Sequence, residues 1–154
     1  MLGPPIDSPA LHAGLVVAAA AFLAVAGSLP ASPAPDAAGV ADTVDRVAVG
    51  EASTAANDDH AADRVRIRPT GIAMRNDGAT ARATFAFGPV VPVRDGPLRA
   101  VLEGESPEAV FDDHAGFIDA VETATERKPR WVRSDRIAVR GVSWDGDRVT
   151  LVGA

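Results

Sequence analysis

The pattern of apolar and polar positions divides the chain into an uninterrupted apolar segment, a short helical stripe and a region of strict alternation. Residues 10–29 (ALHAGLVVAAAAFLAVAGSL) contain no Asp, Glu, Lys or Arg. About twenty residues rising 1.5 Å each span roughly 30 Å, the thickness of a bilayer core. Ser8 with Pro9 is a helix-start signal, and Pro30 is a stop. We therefore predict a transmembrane or signal-anchor helix in residues 1–30, with lipid contact through residues 10–29.

Two other interpretations of this segment stay open, a buried helix and a cleaved export signal. Ala24-Val25-Ala26 fits a small-residue cleavage site, but no Lys or Arg precedes Arg46, whereas export signals begin with basic residues. We favour a retained single-pass anchor. Arg46 alone would place the C-terminal part in the cytoplasm by the positive-inside rule. We nevertheless expect an extracytoplasmic domain, because the proline-rich stretch after the anchor suits a surface stalk.

Residues 31–63 are predicted to be a Pro/Ala/Asp-rich spacer with one short helix. Residues 29–36 (LPASPAPD) should be extended. Val40, Val44 and Val47 then recur at helical spacing, which predicts an amphipathic helix that ends near Gly50. Residues 51–63 are predicted to be a polar loop.

From Arg64 the apolar period changes to two, which predicts strands. Val65 and Ile67 alternate with arginines, and Asp77-Gly78 has the composition of a hairpin turn. Residues 88–92 (GPVVP) must lie at a sheet edge or outside the sheet, because proline has no N–H to donate. Residues 97–104 are compatible with a strand or a helical turn.

A helical segment and a second hairpin complete the prediction. Ser106 and Pro107 start a helix-loop-helix or one kinked helix that runs to Arg127. A C-terminal hairpin turns at residues 144–147 (WDGD), and Gly141 is predicted to form a bulge, since the apolar parity changes there. The predicted fold class is α+β: a transmembrane helix, then a small, mostly antiparallel sheet of residues 64–154 packed against the helical segment.

The composition narrows the possible functions. The chain has no cysteine, which excludes disulfides and thiolate metal sites, and one lysine, Lys128, against fourteen arginines. Fifteen Asp and six Glu give a net charge of −6. Acidic, lysine-poor composition is typical of proteins that stay soluble in brine, so we predict a halophilic archaeon as the source. An acidic chain without interleaved aromatic and basic residues argues against nucleic acid.

The tetrapeptide Asp-Asp-His-Ala occurs twice, at residues 58–61 and 112–115. Asp and His side chains together are able to bind divalent metals. The simpler interpretation is that the second copy caps a helix and the first is a solvated loop. We therefore predict no metal site and no cofactor.

Arginines recur at alternate positions of the predicted strands, which could place them on one sheet face. Guanidinium groups bind carboxylates and phosphates, so this face suits an anionic ligand, an acidic partner or lipid headgroups. We favour the simpler interpretation, a solvent face whose arginines pair with Asp side chains of neighbouring elements. The arginines concerned are Arg64, Arg66, Arg68, Arg82, Arg136, Arg140 and Arg148.

Catalysis has little support in the sequence. No nucleophile elbow, zinc-protease helix, P-loop or dinucleotide fingerprint occurs. Ser143 lies next to Trp144 in the predicted hairpin, without a nearby histidine in the sequence. Trp131 and Trp144 are predicted to be packing residues. We name no catalytic residue and expect no enzyme.

Several segments together resemble an uncharacterised haloarchaeal family of single-pass membrane proteins. They are the apolar N-terminal segment, residues 33–48, residues 83–90 (ATFAFGPV), residues 129–131 (PRW) and residues 142–154 (VSWDGDRVTLVGA). The resemblance implies a domain of unknown function and a link to envelope, pilus-like or secretion proteins, and it defines no functional residues. We therefore predict a non-enzymatic, membrane-anchored envelope protein that mediates protein contacts. The alternative is a membrane-tethered ligand- or metal-binding sensor domain.

Overall fold

A computed structural model describes residues 33–51 and 54–154. Within these residues the chain forms four helices and eight strands. In chain order they are α1 (Ala37–Val49), β1 (Ala55–Asp59), β2 (Arg64–Arg68), β3 (Gly71–Arg75), β4 (Thr80–Thr84), β5 (Val91–Val93), α2 (Pro97–Glu103), α3 (Pro107–Val110), α4 (His114–Glu126), β6 (Val132–Arg133), β7 (Arg136–Trp144) and β8 (Asp147–Gly153).

The strands form two four-stranded sheets. Sheet I has the order β1-β7-β8-β5, and sheet II has the order β4-β3-β2-β6. All neighbours are antiparallel except β5 and β8, which are parallel. Strand β5 contains Pro92 and lies at the edge of sheet I, as the sequence predicted. The fold is α+β and rich in antiparallel pairing.

Helix α1 lies between the two sheets. Val40, Val44 and Val47 are buried as the helical stripe predicted, and Ala37 and Ala41 are buried beside them. The helix contacts β3 and β4 of sheet II on one side and β1, β7 and β8 of sheet I on the other. Because Ala37 and Ala41 have small side chains, both sheets approach the helix closely. Three valines are therefore enough to fill the space between the helix and the sheets. Each buried valine contributes roughly 1.5 kcal/mol or more.

Sheet I is buried on both faces. Ile137 and Val139 point toward α1, whereas Val142 and Trp144 point toward α2 and α4. The β7–β8 pairing runs in unbroken register from Ala138 to Trp144. The predicted bulge at Gly141 is therefore wrong. Both parities of β7 are apolar because both faces are covered, a pattern typical of a doubly buried strand.

Helices α2, α3 and α4 cover the outer face of sheet I. Residues 97–103 form a helix, and the segment from Pro107 is two helices separated by a break at residues 111–113. Asp113 caps α4 by accepting a hydrogen bond from the Gly116 N–H at 2.8 Å. Phe117 of α4 is fully buried against Phe111 and Trp144.

Both predicted hairpin turns are confirmed. Asp145 and Gly146 have φ of 50° and 90° between β7 and β8, the geometry of a two-residue turn with left-handed residues. Between β3 and β4, the Asn76 Oδ1 atom accepts hydrogen bonds from the N–H groups of Gly78 and Ala79, both at 3.0 Å. This bonding fixes the turn at Asp77-Gly78.

The predicted fold class needs correction. No helix of the described chain is long and apolar enough to cross a membrane, and the longest, α1 and α4, have 13 residues each. The segment of residues 10–29, on which the transmembrane prediction rested, lies outside the described residues. Two sheets replace the single predicted sheet, and strand β1 occupies part of the predicted polar loop. The polar side chains of β1 hid its pairing with β7.

Candidate functional site

The outer face of sheet II carries a cluster of arginines. In β2, Val65 and Ile67 point into the core, so the arginines between them point outward. The strand register adds Arg75 and Arg133 on either side of Arg64, and places Arg82 in the next row. We call this surface the arginine face, and it consists of Arg64, Arg66, Arg68, Arg75, Arg82 and Arg133.

Trp131 holds two of these side chains in place. The Cζ atom of Arg66 lies 4.8 Å from the centroid of the indole ring, and that of Arg75 lies 4.6 Å from it. A guanidinium over an indole ring is attracted by the negative face of the ring. Trp131 therefore orders two guanidinium groups without neutralising them.

No carboxylate of the described chain lies within 4.0 Å of a guanidinium of the arginine face. The Nε atoms of Arg66 and Arg68 are buried and have no hydrogen-bond partner among the described residues. Like charges directly opposite each other in a sheet are destabilising, and Arg64 has an arginine on both sides. An anion bound at the surface would relieve the repulsion among these guanidinium groups.

An open cleft of about 720 Å³ lies at one end of the face. Its basic lining comes from Arg64, Arg75 and Arg133, and Asn76 adds an amide. Asp63 and Asp77 also line it. The volume is in the range of small-molecule sites, but the lining is charged rather than apolar.

A family model described as a family of unknown function, DUF7283, matches residues 3–142, which is most of the chain. The chain belongs to the DUF7283 family. Comparison with curated proteins found no match, and comparison with solved structures found none either. The whole arginine face lies within the matched residues.

The arginine prediction for this DUF7283 chain is confirmed in part. Arg64, Arg66, Arg68 and Arg82 share one face, as predicted. The other three belong to sheet I and bind within the chain: Arg136 contacts Asp59 at 3.1 Å, Arg140 donates to the Glu105 carbonyl at 2.8 Å, and Arg148 donates to the Gly50 carbonyl. These three arginines do alternate with other residues along their strands. However, the β7–β8 hairpin belongs to sheet I, whereas the β3–β4 hairpin belongs to sheet II.

The sequence interpretation missed Arg75 and Arg133. Arg75 follows Met74 at outward parity, so the alternation of β3 contained its signal. Arg133 lies in a strand of only two residues, too short for a periodic pattern. Trp131, predicted to be a packing residue, stacks on the arginine face and is partly exposed.

The two Asp-Asp-His-Ala segments of the DUF7283 chain occupy separate places. His60 follows β1 and accepts a hydrogen bond from the Ala62 N–H at Nδ1, 3.2 Å away. The Nε2 atom of His114, at the start of α4, lies 3.2 Å from Oδ2 of Asp147. Across residues 33–51 and 54–154, no three His, Asp or Glu side chains are arranged to hold a metal ion. Asp113 of the second segment is a helix cap, as the simpler interpretation predicted.

Burial lowers the pKa of His60 from its ordinary value of 6.5. The carboxylates of Asp58 and Asp135 act in the opposite direction and are outweighed. Burial therefore favours the neutral imidazole of His60, which is the form that accepts the hydrogen bond from the Ala62 N–H.

Ser143 lies exposed on β7, opposite Arg148. Its hydroxyl forms no hydrogen bond to any other described residue. Trp144 packs on His114 and Phe117, with ring centroids 5.5 Å and 5.7 Å away. This arrangement places Trp144 in the packing of the helices on sheet I.

A second charged surface covers the helices of the DUF7283 chain. Helices α2 to α4 and their connections carry eight exposed carboxylates and one basic residue, Arg99, which pairs with Glu103 at 2.6 Å. We call this surface the acidic layer, and it consists of Glu103, Glu105, Glu108, Asp112, Asp113, Asp119, Glu122 and Glu126.

Proposed function

We propose that this chain is a non-enzymatic binding protein whose arginine face docks on an acidic protein surface. The observation that carries the proposal is the row of outward guanidinium groups without a carboxylate partner among the described residues. Each guanidinium offers planar, paired donors that match a carboxylate in bidentate geometry. A protein with carboxylates on its surface supplies such acceptors in number.

The arginine face is smaller than a standard protein interface. Four strands about 4.8 Å apart and five residues rising about 3.3 Å each cover roughly 300 Å². A standard interface buries about 800 Å² on each partner. We therefore expect a weak, salt-sensitive complex.

Nucleic acid is the less suitable anion. Residues 30–154 carry 15 basic and 20 acidic side chains, a net charge of −5. Such a net negative charge repels a long polyanion that runs beyond the arginine face. An acidic protein with a small contact area would touch only the arginine face and would avoid this repulsion.

We place this docking at the cell envelope of a salt-adapted organism, where pilus-like or secretion components are the expected partners. The excess of Asp and the single lysine support the salt-rich setting. In molar salt the Debye length is about 3 Å, so the arginines must act through direct contacts. Affinity isolation that recovers no envelope, pilus-like or secretion protein would contradict this setting.

Titration of the full chain with fluorescent poly-glutamate tests the proposed docking. The face variant Arg64→Gln/Arg82→Gln/Arg133→Gln spares the two arginines that stack on Trp131. The control Arg46→Gln/Arg99→Gln/Arg136→Gln removes the same charge elsewhere. We expect about tenfold weaker binding for the face variant, equivalent to about 1.4 kcal/mol, and little change for the control. Equal losses of affinity in both variants would show that binding depends only on net charge, which would overturn the proposal.

The cleft beside Asn76 favours a second candidate, a sensor of small multivalent anions. Three arginines converge there around a volume of about 720 Å³. Calorimetry with citrate and inorganic phosphate tests it. Saturable heat that disappears in Arg133→Gln would support this candidate, and the absence of heat for both anions would exclude it.

A further inference from the structure

The arginine face and the acidic layer lie on opposite sides of the part formed by residues 33–154. Helices α2 and α4 pack on one face of sheet I, whose other face packs on α1. Sheet II covers α1 from the far side, with its arginines pointing away from the core. The order of layers is therefore acidic helices, sheet I, α1 and sheet II. The two charged surfaces cannot neutralise each other within one molecule.

The two surfaces are complementary in charge and in accessibility. All eight carboxylates of the acidic layer belong to exposed residues, and its one basic residue is paired with Glu103. The arginine face lacks carboxylate partners among the described residues. Carboxylates spread over α2 to α4 would meet the spread guanidinium groups of another copy.

We propose that the acidic protein on which the arginine face docks is the acidic layer of a second copy of this chain. This inference rests on the proposed function and names its partner. The two surfaces differ and lie on opposite sides, so the contact is heterologous. A docked pair leaves one arginine face and one acidic layer free. The expected assembly is an open, head-to-tail chain rather than a closed two-fold dimer.

The net charge of −6 makes two copies repel each other, but the charges close to the contact determine whether they bind. At about 0.1 M salt the Debye length is about 10 Å. Stacked layers lie about 10 Å apart, so most of the acidic layer is roughly 30 Å from the arginine face of its own molecule. The separation is smallest at Glu126, which lies only seven positions before Arg133 in the chain, and there it is at most about 25 Å. At the contact each surface therefore senses mainly the opposite charge of the facing copy. The association should weaken as salt is raised.

Sedimentation velocity of the full chain with two neutralised variants tests the inference. The face variant is Arg64→Gln/Arg82→Gln/Arg133→Gln, and the layer variant is Asp119→Asn/Glu122→Gln/Glu126→Gln, which retains the Asp113 cap of α4. At about 0.1 M salt we expect the wild type to grow beyond a dimer with concentration. Each variant alone should stay monomeric. Mixed in equal amounts, they should form a 1:1 complex that grows no further, because only one intact pair of surfaces remains.

A control variant and the poly-glutamate titration separate the possible failures. Phe87 is a large exposed apolar residue, and Phe87→Gln leaves both charged surfaces intact. It should associate like the wild type, and loss of association in this variant would overturn the inference. So would a mixture of the face and layer variants that stays monomeric while the wild type associates. A wild type that stays monomeric yet binds poly-glutamate through the arginine face would overturn self-association and leave the proposed function standing. Failure of both measurements would overturn both.

Discussion

The Cζ atom of Arg66 lies 4.8 Å from the centroid of the Trp131 ring. The sheet register produces this contact: Arg64 pairs with Arg133 and Val65 with Val132, so the next position across from Arg66 is Trp131. The same ring contacts Arg75 of the neighbouring strand at 4.6 Å. One aromatic side chain thus orders guanidinium groups from β2 and β3.

Replacing Trp131 with alanine should destabilise the protein and loosen the arginine face. Two exposed cation–π contacts contribute about 0.5–1 kcal/mol each, so the free energy of unfolding should fall by about 1–2 kcal/mol. Trp131→Phe should lose less, because phenylalanine keeps a ring. Urea unfolding of the three proteins measures the effect. An alanine variant as stable as the wild type would show that the contacts do not order the face.

Asp45 of α1 anchors the loop that follows β4. Its carboxylate accepts hydrogen bonds from the Ala86 N–H at 2.9 and 3.0 Å and from the Phe87 N–H at 3.2 Å. Asp45→Ala should lower the free energy of unfolding by about 1.5 kcal/mol and speed hydrogen exchange at both amides. Asp42→Ala on the same helix is the control. Unchanged exchange at residues 86 and 87 in the Asp45 variant would refute this anchoring role.

Asp113 and Asp112 form a matched pair at the start of α4. Asp113 caps the helix through the Gly116 N–H, whereas the neighbouring Asp112 makes no such bond in the described structure. Asp113→Ala should lower the free energy of unfolding by about 1 kcal/mol, and Asp112→Ala should change it little. Thermal unfolding of both variants checks the prediction. Equal destabilisation would attribute the effect to charge near the helix N-terminus rather than to the cap.

His60 should make the free energy of unfolding depend on pH below neutrality. Burial lowers its folded-state pKa below 6.5, so the unfolded chain binds the proton more readily. The stability held at higher pH should therefore fall as the pH drops through 6.5 toward the folded-state pKa, and then level off. Urea unfolding between about pH 7.5 and pH 5 measures this slope. His60→Gln should flatten it, and an identical slope in the variant would contradict the assignment.

The sequence predicted the elements whose signals are local. The stripe of Val40, Val44 and Val47, the turn at Asp145-Gly146 and the cap at Asp113 each depend on neighbours along the chain. The number of sheets depends on long-range pairing and was predicted wrongly. The bulge wrongly predicted at Gly141 has a similar cause. Apolar residues switch from odd to even positions at a bulge, but they also do so in a strand that is buried on both faces, and only the tertiary structure distinguishes the two cases.

The arginine face was partly predictable for the same physical reason. Alternation within β2 fixes the direction of Arg64, Arg66 and Arg68 whatever the partner strand. Whether Arg136 and Arg140 join them depends on the sheet to which β7 belongs, and β7 pairs with β1 and β8 in sheet I. The lack of carboxylate partners in the described chain is a property of three-dimensional packing and has no sequence signal.

Arginine side-chain NMR during titration with poly-glutamate tests the central claim most directly. A carboxylate that docks on the exposed edge of the Arg66 and Arg68 guanidinium groups should shift their Nε–Hε signals strongly, because no acceptor among the described residues already binds these Nε–H groups. Arg136 and Arg140 already donate to acceptors within the chain and serve as internal controls. We predict saturable shifts confined to the arginine face. Shifts of equal size at all arginines, or larger shifts at Arg136 and Arg140, would contradict the assignment of this face as the docking surface.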